Sequence, residues 1–134
     1  MNQSSLTVTH SMSRTWPVQV ALWLLDRPKL GQRSSVKRLA GRLLKQPAQA
    51  GVVTAQSRLG RLLCCDCDSA RDQRIGVQML QQAAKAGDCS ARVELGQLLV
   101  QPRHYEPGQA RHWLELAAAQ GSERAKTLLA RMFP

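Results

Sequence analysis

Aromatic side chains are scarce: five of 134 residues carry a ring (Trp16, Trp23, Tyr105, Trp113 and Phe133). Leu, Ala, Gln and Arg dominate instead, so strand formers are few and helix formers many. That disfavours sandwiches and barrels. Acidic residues are also few, nine against nineteen Lys and Arg, for a formal charge of +10. With 43% hydrophobic residues the chain is nonetheless too apolar for a disordered polycation. Its length is that of one domain, enough to bury a core.

A long hydrophobic run is also missing. The longest apolar stretch, Trp16–Leu25, is interrupted by Gln19 and closed by Asp26. A membrane helix needs about 20 residues, so no membrane span is expected. As a signal sequence the stretch fails too, with only Arg14 upstream and no small-x-small site before Arg27 and Pro28. The four cysteines (Cys64, Cys65, Cys67 and Cys89) are poorly spaced for a disulfide framework. Cys64-x-x-Cys67 has no second ligand pair, and His104 and His112 are distant, so no metal or cofactor is expected. Reduced thiols, partly buried as small apolar groups, fit a cytoplasmic protein.

No catalytic constellation stands out. Ser69 follows Asp68 without a nearby His; His10, His104 and His112 are scattered; no glycine-rich phosphate loop occurs. Asp66, Asp68 and Asp72 fit turn chemistry and helix capping. A non-enzymatic protein is expected.

What the chain does contain is a repeat. The pattern Gly-x-x-x-Ala-x-x-x-Leu-(Gly/Ala)-x-(Leu/Met)-(Leu/Phe) starts at Gly51, Gly87 and Gly121, with spacings of 36 and 34. Each glycine follows a helix-periodic stretch, where a positive φ ends the helix. Ala55, Ala91 and Ala125 fall just inside the next helix and allow a close crossing. Leu59, Leu95 and Leu129, then Leu62, Leu98 and Met132, continue one apolar stripe. Gly60 and Gly96 cost about 1 kcal/mol each inside a helix, which implies a contact too tight for a side chain.

Second helices lie between the copies, with Gly76–Ala84 matching Ala110–Ala118. Shifted back by 36, Ala40 and Leu43-Leu44 fit, but Pro47 falls where Ala83 would be and should end that helix near Gln46. Seven helices result, over 17–26, 35–46, 52–65, 72–86, 89–100, 107–120 and 123–132. They form three antiparallel pairs plus a terminal single helix, an all-α fold. Residues 1–15 are read as a flexible tail and 16–134 as one domain. Within it a degenerate repeat covers 17–51, clear repeats cover 52–87 and 88–121, and a half repeat covers 122–133. Trp16 and Trp23 are expected in the core or between helices, and Trp113 as an inter-helix anchor.

Ala91-x-x-x-Leu95-Gly96-x-Leu98-Leu99, then Ala110-x-x-Trp113, then Ala117-Ala118-x-x-Gly121, resembles the SEL-one-like repeat, a cousin of the tetratricopeptide repeat. The copy from Ala55 to Gly87 fits nearly as well, with Met79 in the tryptophan position. The family's Gly-x-Gly-Val turn is absent; Cys64–Ser69 and Gln101–His104 stand in its place. The resemblance implies an α-solenoid whose first helices line a concave surface. It also implies an adaptor or scaffold role in bacterial regulation or assembly.

First-helix positions off the apolar stripe are the candidate partner contacts: Gln56, Arg58 and Arg61, then Arg92, Glu94 and Gln97, then Lys126 and Arg131. Arginine binds carboxylates and phosphates bidentately, which favours Arg58, Arg61 and Arg92. Charge is also lopsided, with ten basic residues against Asp26 alone through residue 63. Arg33, Lys37, Arg38 and Arg42 place a basic stripe on one helix, adding Arg38 and Arg42 as contacts. An acidic protein or peptide is the expected partner. Nucleic acid or an anionic nucleotide, bound by the basic N-terminal half, is the alternative, weakened for single strands by the few aromatics. A metal- or redox-responsive scaffold using Cys64 and Cys67 is a third reading.

Overall fold

Three glycines set the rhythm of the chain. Gly51, Gly87 and Gly121 have φ of 92°, 98° and 99°, the left-handed conformation that costs glycine least. In the computed structural model, which describes residues 16–65 and 69–134, each glycine closes one helix and leads into the next. The helices are α1 (16–26), α2 (Ser34–Gln49), α3 (Val53–Cys65), α4 (Ala70–Lys85), α5 (Cys89–Leu98), α6 (Pro107–Ala119) and α7 (Glu123–Met132). A 3-10 turn, Pro102–His104, joins α5 to α6. Among the described residues the architecture is all-α, as composition and periodicity require, and no strand occurs. The expected tail, residues 1–15, lies outside the described residues.

The glycine turns share one hydrogen-bond pattern. Gly51 N–H donates to the Ala48 carbonyl (3.2 Å) and Val52 N–H to that of Pro47 (2.9 Å). The same pairs recur as Gly87 to Ala84 and Asp88 to Ala83, and as Gly121 to Ala118 and Ser122 to Ala117. These are Schellman closures, which satisfy the last carbonyls of a helix. The residue after the glycine then opens the next helix. The Asp88 carboxylate accepts from Ala91 N–H (2.8 Å) and the Ser122 hydroxyl from Ala125 N–H (3.1 Å). At the first turn this place is held by Val52, whose carbonyl accepts Gln56 N–H (3.0 Å) but whose side chain has no acceptor.

Each of α2 to α7 packs on the next in sequence, and α3 also touches α5. Ala55, Ala91 and Ala125 are fully buried, as expected of small residues where helices cross. Leu59 and Leu95 are buried, but in α7 the buried leucine is Leu128, and Leu129 is only half-buried. Leu128 and Ala125 share a cluster with Val93 of α5 and with Leu114 and Ala117 of α6, so the buried stripe of α7 is turned by one residue relative to the earlier copies. Val18 and Ala21 of α1 share a core cluster with Ala40, Leu44, Ala55 and Leu59. Gly60 and Gly96 fill the role their spacing predicts. A Cβ on Gly60 would lie 2.8 Å from Leu80 Cγ and 2.9 Å from the Gly76 carbonyl oxygen; one on Gly96 would lie 2.5 Å from Leu114 Cγ.

Three expectations are corrected. The helix of Pro47 does not end near Gln46; α2 runs to Gln49 with Pro47 buried inside it. The proline lies in the last turn, so it removes one intrahelical donor, and the Gly51 closure still captures its own carbonyl. Trp16 and Trp23 are not core residues, being 51% and 54% exposed on α1. Trp113 is half-buried rather than enclosed, packing on the cluster of Leu80, Leu95 and Leu98.

Candidate functional site

The first helices α1, α3, α5 and α7 carry most of the residues selected from sequence. Arg58 pairs with Asp26 of α1. Glu94, almost buried, takes Arg124 at 3.0 Å and lies 3.7 Å from Arg61. Arg124 also donates to Gln97 (2.6 Å). Asp26, Arg58, Arg61, Glu94, Gln97 and Arg124 therefore lace one first helix to the next. Their partners lie about 30 residues away in sequence, one repeat apart.

Gln56 and Arg92 hold the same place in successive copies and do the same job. Gln56 Nε2 donates to the Ala48 carbonyl (3.2 Å), and Arg92 Nε donates to the Ala84 carbonyl (3.0 Å). Each reaches back eight residues to cap the helix before it. Gln56 is buried and also meets Gln82, while Arg92 also donates to Gln120 (2.9 Å). Lys126 pairs with Glu123 within α7, and Arg131 is exposed there.

A wide groove opens elsewhere, between the second helices α2 and α4 and above α3. It encloses about 930 Å³. Leu59, Leu62 and Leu63 of α3, with Ile75 and Met79 of α4, give it an apolar floor. Lys37, Arg38, Arg42 and Lys45 line one wall along successive turns of α2, and Arg71 stands on the other. Among the described residues Asp72 is the sole acid in this lining. Gly41 sits among the α2 residues, and a Cβ there would meet nothing within 4 Å, so the wall is open at its middle. From Arg38 to Gln49 the α2 wall is about 16 Å long at 1.5 Å per residue.

Of the sequence-selected contacts, the structure brings Arg38 and Arg42 into this groove. Arg58, Arg61, Arg92 and Gln97 lie outside it, engaged between helices. Lys45 and Arg71 were marked in the sequence only by their charge. The floor needed two repeats placed side by side, which no single helix pattern displays. Low dielectric beside the leucine floor strengthens the attraction of the rim for carboxylates.

The cysteine turn supplies less. Cys64 Sγ donates to the Gln73 carbonyl (3.7 Å) and Cys89 Sγ to that of Ala117 (3.8 Å), and Cys65 is exposed. Asp66, Cys67 and Asp68 lie outside the described residues. Among the described residues no three His, Cys, Asp or Glu side chains gather closely enough to hold a metal ion. No helix among them is long and apolar enough to cross a membrane. Comparison with protein-family models, with curated proteins and with solved structures gives no match.

Proposed function

We propose that this chain is a non-catalytic, cytoplasmic interaction module, an adaptor or scaffold that captures an acidic protein segment in the groove between α2 and α4. The observation that carries this is the pairing of an apolar floor with a rim of Arg38, Arg42, Lys45 and Arg71, against Asp72 as the one acid of the lining among the described residues. Such a groove suits a segment with leucine-like side chains on one side and carboxylates flanking them. The groove lining contains no aromatic ring on which bases would stack, which favours protein over nucleic acid. The resemblance of residues 48–133 to the SEL-one-like repeat supports an adaptor role in bacterial regulation or assembly. Thiols without a disulfide spacing support the cytoplasm.

Fluorescence anisotropy with labelled probes tests this. A peptide of leucines and glutamates should bind, and its leucine–lysine counterpart should not. Arg38→Glu with Arg42→Glu should weaken the acidic peptide by about two orders of magnitude with little change in melting temperature. Binding of a single-stranded oligonucleotide, with a steep salt dependence and none for the peptide, would replace this function with nucleic-acid binding.

A further inference from the structure

The two ends of the helical array differ. At one end α7 exposes Arg124, Lys126, Thr127 and Arg131, a polar outer face. At the other end α1 is apolar on both sides. Val18, Ala21, Leu22 and Leu25 face the core. Trp16, Val20 and Trp23, at the i, i+4, i+7 spacing of one helical face, are 51%, 40% and 54% exposed. A helix apolar all round is one whose second face has a non-aqueous neighbour.

Charge decides which neighbour. The Arg27 guanidinium lies 4.3 Å over the Trp23 ring. Lys29 and Arg33 follow, both exposed. Asp26, the one acid in residues 1–65 of the sequence, is paired with Arg58. The indoles therefore sit in a positive field, in a chain of net charge +10. A second copy bringing the same face would meet like charge. A polyanionic surface would not. Tryptophan has an apolar body and one N–H donor, the chemistry that settles at the headgroup level of a bilayer, and neighbouring arginines extend to the phosphates. A ridge of rings on one helix also suits a layer that deforms around it, whereas a protein partner would need a matching cleft.

We propose that the outer face of α1, formed by Trp16, Val20 and Trp23 beside Arg27, docks the protein peripherally on an anionic lipid surface. The α1 face and the α2–α4 groove share no lining residue, so the module would carry its acidic partner while resting on the bilayer.

The test uses the full chain with Trp113→Phe, so that fluorescence reports Trp16 and Trp23 only. Vesicles containing phosphatidylglycerol should shift the emission to shorter wavelength and co-sediment the protein. Pure phosphatidylcholine should bind about tenfold or more weakly. Trp16→Ser with Trp23→Ser should abolish co-sedimentation, and Val20→Glu should weaken it, with the protein still folded by circular dichroism and its melting temperature lowered only modestly, because these side chains are 40–54% exposed. Acidic-peptide binding at the groove should persist in these variants. Equal binding to both vesicle types, or none, overturns the proposal. So does a dimer that the double serine variant dissociates, or indoles already shielded from iodide in the free protein.

Discussion

Gly60 and Gly76 face each other across the crossing of α3 and α4: a Cβ built on either would lie 2.9 Å from the other's carbonyl oxygen. Backbone meets backbone here, so neither helix can yield without the other. In the next pair Gly96 meets the side chain of Leu114 instead, and Ala110 takes the place of Gly76.

Gly60→Ala and Gly76→Ala should therefore each cost about 1–3 kcal/mol, strain outweighing the gain in helix propensity. Gly41→Ala, in the middle of α2 with open space around it, should instead stabilise by up to about 1 kcal/mol. Urea unfolding of the three variants measures both signs. A stabilised Gly60→Ala protein would mean that the crossing is looser than described.

Val52 stands where Asp88 and Ser122 cap the later helices, and it is 38% exposed. Val52→Asp should supply the missing acceptor to the first turn of α3 and stabilise by about 0.5–1 kcal/mol. Asp88→Ala should lose a similar or larger amount, about 0.5–2 kcal/mol. Thermal unfolding at constant salt tests the pair, whose changes should have opposite sign.

Arg92→Ala should destabilise by about 0.5–1.5 kcal/mol, because it removes one of the two donors to the Ala84 carbonyl, which keeps only Gly87 N–H. Arg92→Gln should recover much of this, since Gln56 makes the same bond in the preceding copy. Unfolding free energies that do not distinguish these two variants would remove the capping role.

The periodic features were legible in the chain because each recurs at the same place in successive copies. Gly51, Gly87 and Gly121 declare the turns, Ala55, Ala91 and Ala125 the crossings, and Gly60 and Gly96 the tight contacts. Each follows from local geometry repeated at a fixed interval. Arg58, Arg61 and Arg92 look like free contacts because their partners, Asp26, Glu94 and the Ala84 carbonyl, lie on other helices. A repeat pattern shows which faces are polar. It does not show whether a polar face meets water or the next unit. Arg38 and Arg42 line the groove because they belong to a basic stripe on α2, and α4 across from it carries Asp72 as its one acid. Pro47 misled because its cost depends on its distance from the end of α2, which the Gly51 turn sets.

Trp113→Ala should cost about 2 kcal/mol, less than the roughly 3–5 kcal/mol of a fully enclosed ring, because half-burial leaves part of the indole in water. Leu114→Ala beside it, with no exposed surface, should cost as much or more, about 2–5 kcal/mol. Chemical denaturation ranks the two, and the reverse order would place the anchor of α6 in the tryptophan.

The glycine closures have a consequence for how the chain acquires its shape. Each one finishes a helix and aims the next with bonds that span only a few residues, so a hairpin can assemble without waiting for distant segments. Folding should be fast, and growth should proceed by docking one hairpin on its finished neighbour. By the same logic, a duplicated unit inserted between Gly87 and Gly121 should lengthen the array and leave its flanks intact.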